Sequence, residues 1–210
     1  MRKTAVFPAR DIQLFKKQLN IWAGNFFSAL CLDPNEYTGF VKPYKLLAAA
    51  GEQDAIDCNQ DVFNAIKLLF DKSPDWLFGY FSYDLKQETE KKLFSKPDFR
   101  FDGIQFSKGY FFRPDHIIEA SGNSIAIHSF ENPHDIFESI SSITVIEFPG
   151  IKNKKVQQRI SMPEYLKTIA LLKSHITRGD IYEINFCQEF FIENILVDPP
   201  LLFNRLNEIS

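Results

Sequence analysis

The feature that most constrains this chain is a change of hydrophobic period at Gly179. Upstream, Tyr165, Ile169, Leu172 and Ile176 recur at helical spacing. Ser161 and Glu164 stand at capping-box spacing at the start of that run, and Lys173, His175 and Arg178 suit its C-terminal end. Downstream the period becomes two: Tyr182, Ile184, Phe186, Gln188 and Phe190 fall on one face, and Ile181, Glu183, Asn185, Cys187 and Glu189 on the other. The pattern predicts a helix stopped by Gly179 and then one long strand over residues 180–191. A one-residue slip would exchange its faces, so its register should be firmly set. The polar face reads either as an ordinary solvated strand face or as the wall of a ligand pocket.

The rest of the chain supplies both kinds of element. Phe15, Leu19 and Trp22 predict an amphipathic helix over residues 11–22. Residues 26–32 read as a buried strand ended by the turn Asp33-Pro34-Asn35, and residues 44–50 as a second strand stopped by Gly51. Val62, Ile66 and Leu69 predict a helix over 60–70, followed by a strand over 76–85 and a charged connector over 86–96. Strands over 103–113, 117–120 and 124–130, separated by Pro114-Asp115 and Ser121-Gly122-Asn123, predict an antiparallel meander, and 133–140 a short helix. The basic run 151–159 after Pro149-Gly150 reads as a surface connector, and Pro199-Pro200 opens a last helix. The expected fold is α+β, with antiparallel sheets and packed helices. The expected domains are 1–150, a connector over 151–161, and a C-terminal piece over 162–210.

Composition narrows the function classes. A net charge of −3 and a pI near 5.8 give no nucleic-acid footprint. No apolar run is long enough to span a membrane, and the N-terminus lacks a signal-peptide apolar region. The 22 phenylalanines are scattered through strand-like runs and read as core. Cys31, Cys58 and Cys187 are widely spaced, as expected of thiols in a reducing cytoplasm, and the four histidines lie too far apart for a metal site.

Two stretches carry a resemblance. Gly179-Asp180-Ile181-Tyr182-Glu183-Ile184-Asn185-Phe186-Cys187-Gln188-Glu189-Phe190 closely resembles the segment that opens the chorismate-binding domain of anthranilate synthase component I and aminodeoxychorismate (para-aminobenzoate) synthase component I. Phe78-Gly79-Tyr80-Phe81-Ser82-Tyr83-Asp84-Leu85, followed by Glu88 and Glu90, looks like the Gly-Tyr-x-x-Tyr-Asp segment of the same family's N-terminal domain. The resemblance implies the N-terminal part of that fold and a substitution on the chorismate ring assisted by Mg²⁺. It also implies a glutamine amidotransferase subunit that supplies ammonia.

The resemblance implies site residues as well. Glu183 and Asn185 become pocket-lining candidates. At the position of Glu183 the related isochorismate and salicylate synthases carry a lysine that activates water, and the aminating enzymes usually a glutamine. Asn185 leans towards the aminodeoxychorismate enzymes. The family's metal-binding glutamates and later catalytic motif match nothing in these 210 residues, so no bound cofactor and no synthase activity are expected of this chain alone. The family's tryptophan pocket would fall on Leu30, Leu32, Asp33 and Tyr44, but Cys31 and Leu32 replace its polar residues, which favours a filled core. The alternatives are anthranilate synthase component I and a stand-alone, non-catalytic regulatory module. Residues 163–210 are expected to be the least settled part and a route to self-association.

Overall fold

The computed structural model describes residues 1–34, 46–90, 103–151 and 154–209. The chain divides into two units, Met1–Phe148 with Pro199–Ser210, and Pro149–Asp198.

The first unit is built on β3 (Leu46–Ala50), whose Leu-Leu-Ala-Ala-Ala alternates between two cores. Leu46, Ala48 and Ala50 face a helical layer, while Leu47 and Ala49 face a second sheet. Alanine at three of five positions lets both layers approach closely. Around β3 runs an antiparallel sheet of β1 (Lys3–Pro8), β8 (Ser124–Ser129), β7 (His116–Ser121), β3 and β2 (Ala29–Leu32), in that order. Strand β1 lies at one edge, where its terminal Pro8 is tolerated. Strand β2 forms the other edge.

Helix α1 (Ile12–Ala23) packs on this sheet through Phe15, Leu19, Trp22 and Ala23. Asp11 caps it by accepting from Leu14 N at 2.9 Å. Helix α4 (Pro133–Ser141), with Asn132 as its cap and Pro133 in its first turn, adds Ile136 and Ile140. Trp22 Nε1 donates to Ser139 Oγ at 2.9 Å, and the rings of Phe7 and Phe137 stack at 4.2 Å. On the opposite face lies a three-stranded antiparallel sheet of β4 (Asp54–Cys58), β6 (Gly109–Arg113) and β5 (Phe78–Phe81). Phe78 and Phe112 pack there against Ala49 and Ile117. Helix α2 (Val62–Lys72) follows β4. Arg113 Nη1 reaches Asp54 at 2.5 Å, and Arg113 Nη2 donates to Leu69 O at 2.7 Å.

Two expectations about this unit change. The predicted meander is divided between sheets: β6 pairs with β4 and β5, and β7 with β3 and β8. The chain crosses over at Pro114-Asp115, where Arg2 donates to both carbonyl oxygens at 2.7–2.8 Å. The strand predicted over 76–85 ends at Phe81, because its partner β6 begins at Gly109 opposite it. A single 3₁₀ turn (Tyr83–Leu85) and α3 (Lys86–Thr89) follow. Strands β1 and β4 were not predicted.

The second unit holds β9 (Gln157–Gln158), α5 (Met162–Arg178) and β10 (Phe190–Phe191). The predicted helix is present with its capping box and with Gly179 at φ +83° as its C-cap. None of its residues is buried. The long strand is not present: only Phe190 and Phe191 form a ladder, with Gln158 and Gln157. A strand exists by pairing, and β9 offers two residues to pair with. The last helix, α6 (Pro199–Ile209), belongs to the first unit and packs against α1.

Candidate functional site

The segment after α5 is held by its side chains rather than by a ladder. Asp180 closes the helix end, accepting from Arg178 Nη2 at 2.7 Å and lying 2.7 Å from His175 Nδ1. Tyr165 stacks on Phe186 at 5.2 Å. Gln188 Oε1 accepts from Ile160 N at 3.3 Å, and Gln188 Nε2 donates to Ile160 O at 2.5 Å. Arg159 grips Glu189 with two hydrogen bonds of 3.0 Å and covers the Phe191 ring at 4.0 Å. That bidentate pair holds the Glu189 carboxyl below its usual range. Phe186 and Gln188 thus turn inward and Cys187 and Glu189 outward, so the alternation read from the sequence survives over these four residues.

Towards Gly179 the alternation is lost. Tyr182 is fully exposed and Ile184 is exposed, although both were placed on the apolar face. Glu183 and Asn185 are exposed too, two residues apart on an irregular stretch. Among the described residues no three His, Cys, Asp or Glu side chains come together as a metal site.

Of the expected tryptophan-pocket residues, the three that are described, Leu30, Leu32 and Asp33, do not converge. Leu30 packs towards the second sheet, whereas Cys31, its neighbour, packs towards the helices. Asp33 shares the side of Cys31: its carboxylate takes Lys16 Nζ at 2.7 Å, with both side chains buried. Burial, reinforced by Asp33, pushes the Cys31 thiol up to about 12. Leu32 is 54% exposed. Tyr44 lies outside the described residues. Leu30 and the Asp33 carboxylate thus pack towards different layers.

Sequence reasoning missed two sites. A cavity of about 350 Å³ lies between the end of α1, β2 and the start of α6, lined by Phe26, Phe27, Leu30, Cys31, Pro200 and Phe203 among others. Its signals were the Phe26-Phe27 pair and Pro199-Pro200, some 170 residues apart along the chain. Where the sheets meet, Ser28, Glu52 and Tyr110 share a hydrogen-bonded cluster, with Tyr110 Oη 2.9 Å from Glu52. Burial raises the Tyr110 hydroxyl above its ordinary value. These three come from unrelated stretches and have no spacing to betray them.

The profile of a family described as chorismate binding enzyme matches residues 27–210. This chain belongs to the chorismate binding enzyme family. The match takes in both stretches on which the resemblance was based, and Glu183 and Asn185 with them. Among solved structures, the chain is similar to MenF, the menaquinone-specific isochorismate synthase from Escherichia coli, with 12% sequence identity and a TM-score of 0.44. That similarity covers 86% of this chain and 39% of the other, so the chain spans about two fifths of the length of that relative. No curated protein matches the sequence.

Proposed function

We propose that these residues form part of a chorismate-aminating synthase of the aminodeoxychorismate type. Chorismate is the substrate, ammonia delivered by a glutamine amidotransferase subunit is the nucleophile, and the product feeds para-aminobenzoate and folate synthesis. The observation that carries this reading is Glu183, exposed after α5 at the position where the water-activating relatives carry a lysine. A lysine amine there takes a proton from water and creates an oxygen nucleophile. With no lysine here, no side-chain amine at this position deprotonates water, which argues for ammonia as the attacking group. Asn185, two residues on from Glu183, adds an amide that donates and accepts.

The reaction class would use Mg²⁺ to draw the departing hydroxyl off the ring. The described residues do not fit that ion, since no acidic cluster is present among them. The metal, like turnover itself, belongs to the proposed larger enzyme.

The test is the product of the complete encoding gene, supplied with chorismate, Mg²⁺ and ammonium, compared with its Glu183→Gln and Glu183→Lys variants. Glu183→Gln should keep amination, and Glu183→Lys should lose it and release isochorismate. Equal amination by both variants would remove Glu183 from the site.

A further inference from the structure

Helix α6 returns to α1 through polar contacts. Its buried residues are Leu201 and Asn204. Asn20 Nδ2 donates to Asn204 Oδ1 at 2.7 Å, within the buried interface. Asn204 Nδ2 donates in turn to Lys17 O at 3.3 Å. One oxygen of Asp33 accepts from Asn207 Nδ2 at 3.4 Å, and the other from Lys16 Nζ at 2.7 Å. The Lys16 and Asp33 side chains are 8% and 4% exposed. The end of β2, the face of α1 and the last turns of α6 therefore meet on one carboxylate.

A buried ion pair adds little net stability, but leaving either partner alone is heavily penalised, and an amide pair tolerates a narrow range of geometry. A helix with so little buried apolar surface gains its register from such contacts. We propose that Asp33 is a positioning residue, locking α6 to α1 through Lys16 and Asn207 and so fixing where the chain re-enters the first unit. The same lock closes a stem. Val145 to Phe148, which lead out of this unit, and Leu201, Asn204, Arg205 and Glu208, which follow the return, line one cavity of about 250 Å³ with Lys17. Lys17 pairs with Glu208 across it at 2.6 Å. Residues 145–148 and helix α6 are thus neighbours within the first unit.

Hydrogen exchange on the intact chain tests this. Asp33→Asn strands the Lys16 ammonium and should speed exchange of the α6 amides at least tenfold, with β7 and β8 unchanged. Adding Lys16→Gln replaces the ion pair with a neutral hydrogen-bonded pair and should restore slow exchange in α6. Should Asp33→Asn yield no folded protein, Asn207→Ala, which removes the α6 contact to Asp33 and leaves the Lys16 pair in place, carries the same test, with the same selective loss expected in α6. Wild-type exchange in α6, equal deprotection of β7 and β8, or failure of the double variant to restore α6 would each overturn the proposal.

Discussion

Gly79 on β5 faces Phe111 on β6 across the ladder so closely that a Cβ at position 79 would stand 2.7 Å from the Phe111 Cα. It would also stand 2.0 Å from the Tyr110 carbonyl oxygen. Both are backbone atoms, so no side chain can swing aside, and the strands themselves would have to part. This is the physical content of the glycine in Phe78-Gly79-Tyr80. Gly79→Ala should cost about 3 kcal/mol, the upper end of ordinary overpacking. Urea unfolding checks it, and an unchanged midpoint would refute it.

His116 supplies a pH dependence. It is 2% exposed, lies against Trp22 and Phe26 and shares a 2.8 Å hydrogen bond with Ser129 Oγ. Burial lowers its pKa below the ordinary 6.5, outweighing the acidic Glu131 and Asp115 nearby. As pH falls through 6.5 the unfolded chain takes up this proton before the folded one does, so stability present above 6.5 is lost below it. Thermal midpoints at pH 7.5 and 5.5 should show a drop that is smaller in His116→Gln. An equal drop in both proteins would exclude His116 as its source.

The thiols should react in a fixed order. Cys187 is exposed, whereas Cys31 is held near 12 by burial. At pH 8 a thiol at 12 is about 10⁻⁴ ionised, roughly a thousandfold less than an ordinary exposed cysteine. Timed alkylation with mass spectrometry should label Cys187 long before Cys31. Comparable rates would contradict the packing of Cys31 against the helical layer.

Free tryptophan should find no tight site around β2. The Asp33 carboxylate, one of the expected pocket residues, already holds Lys16 at 2.7 Å. Calorimetric titration should show no micromolar binding, and a micromolar isotherm would overturn this.

The elements read correctly from the sequence were those whose patterns are local. Helix α1 was legible from Phe15, Leu19 and Trp22, α5 from Ser161, Glu164 and Gly179, and the β7–β8 hairpin from Ser121-Gly122-Asn123. What failed depends on distant partners. Nothing in residues 180–191 says whether a neighbouring strand is there to pair with them, and their alternation was read as a strand that the two residues of β9 cannot complete. Strand β4, Asp-Ala-Ile-Asp-Cys, carries two charges, one of which is explained only by Arg113 and Lys72. Glu183 and Asn185 were named from the resemblance, with Ile184 alone between them along the chain. Asp33 was legible as an acid, but Lys16 as its partner was not, because the pairing requires β2 to run beneath α1.

We propose that this chain belongs to an enzyme that aminates chorismate. The product of the complete encoding gene, incubated with chorismate, Mg²⁺ and ammonium, decides it most directly by chromatography of the products. The expected product is aminodeoxychorismate, convertible to para-aminobenzoate by an added lyase, with no fluorescence from anthranilate. Anthranilate, or isochorismate formed equally well without ammonium, would contradict it.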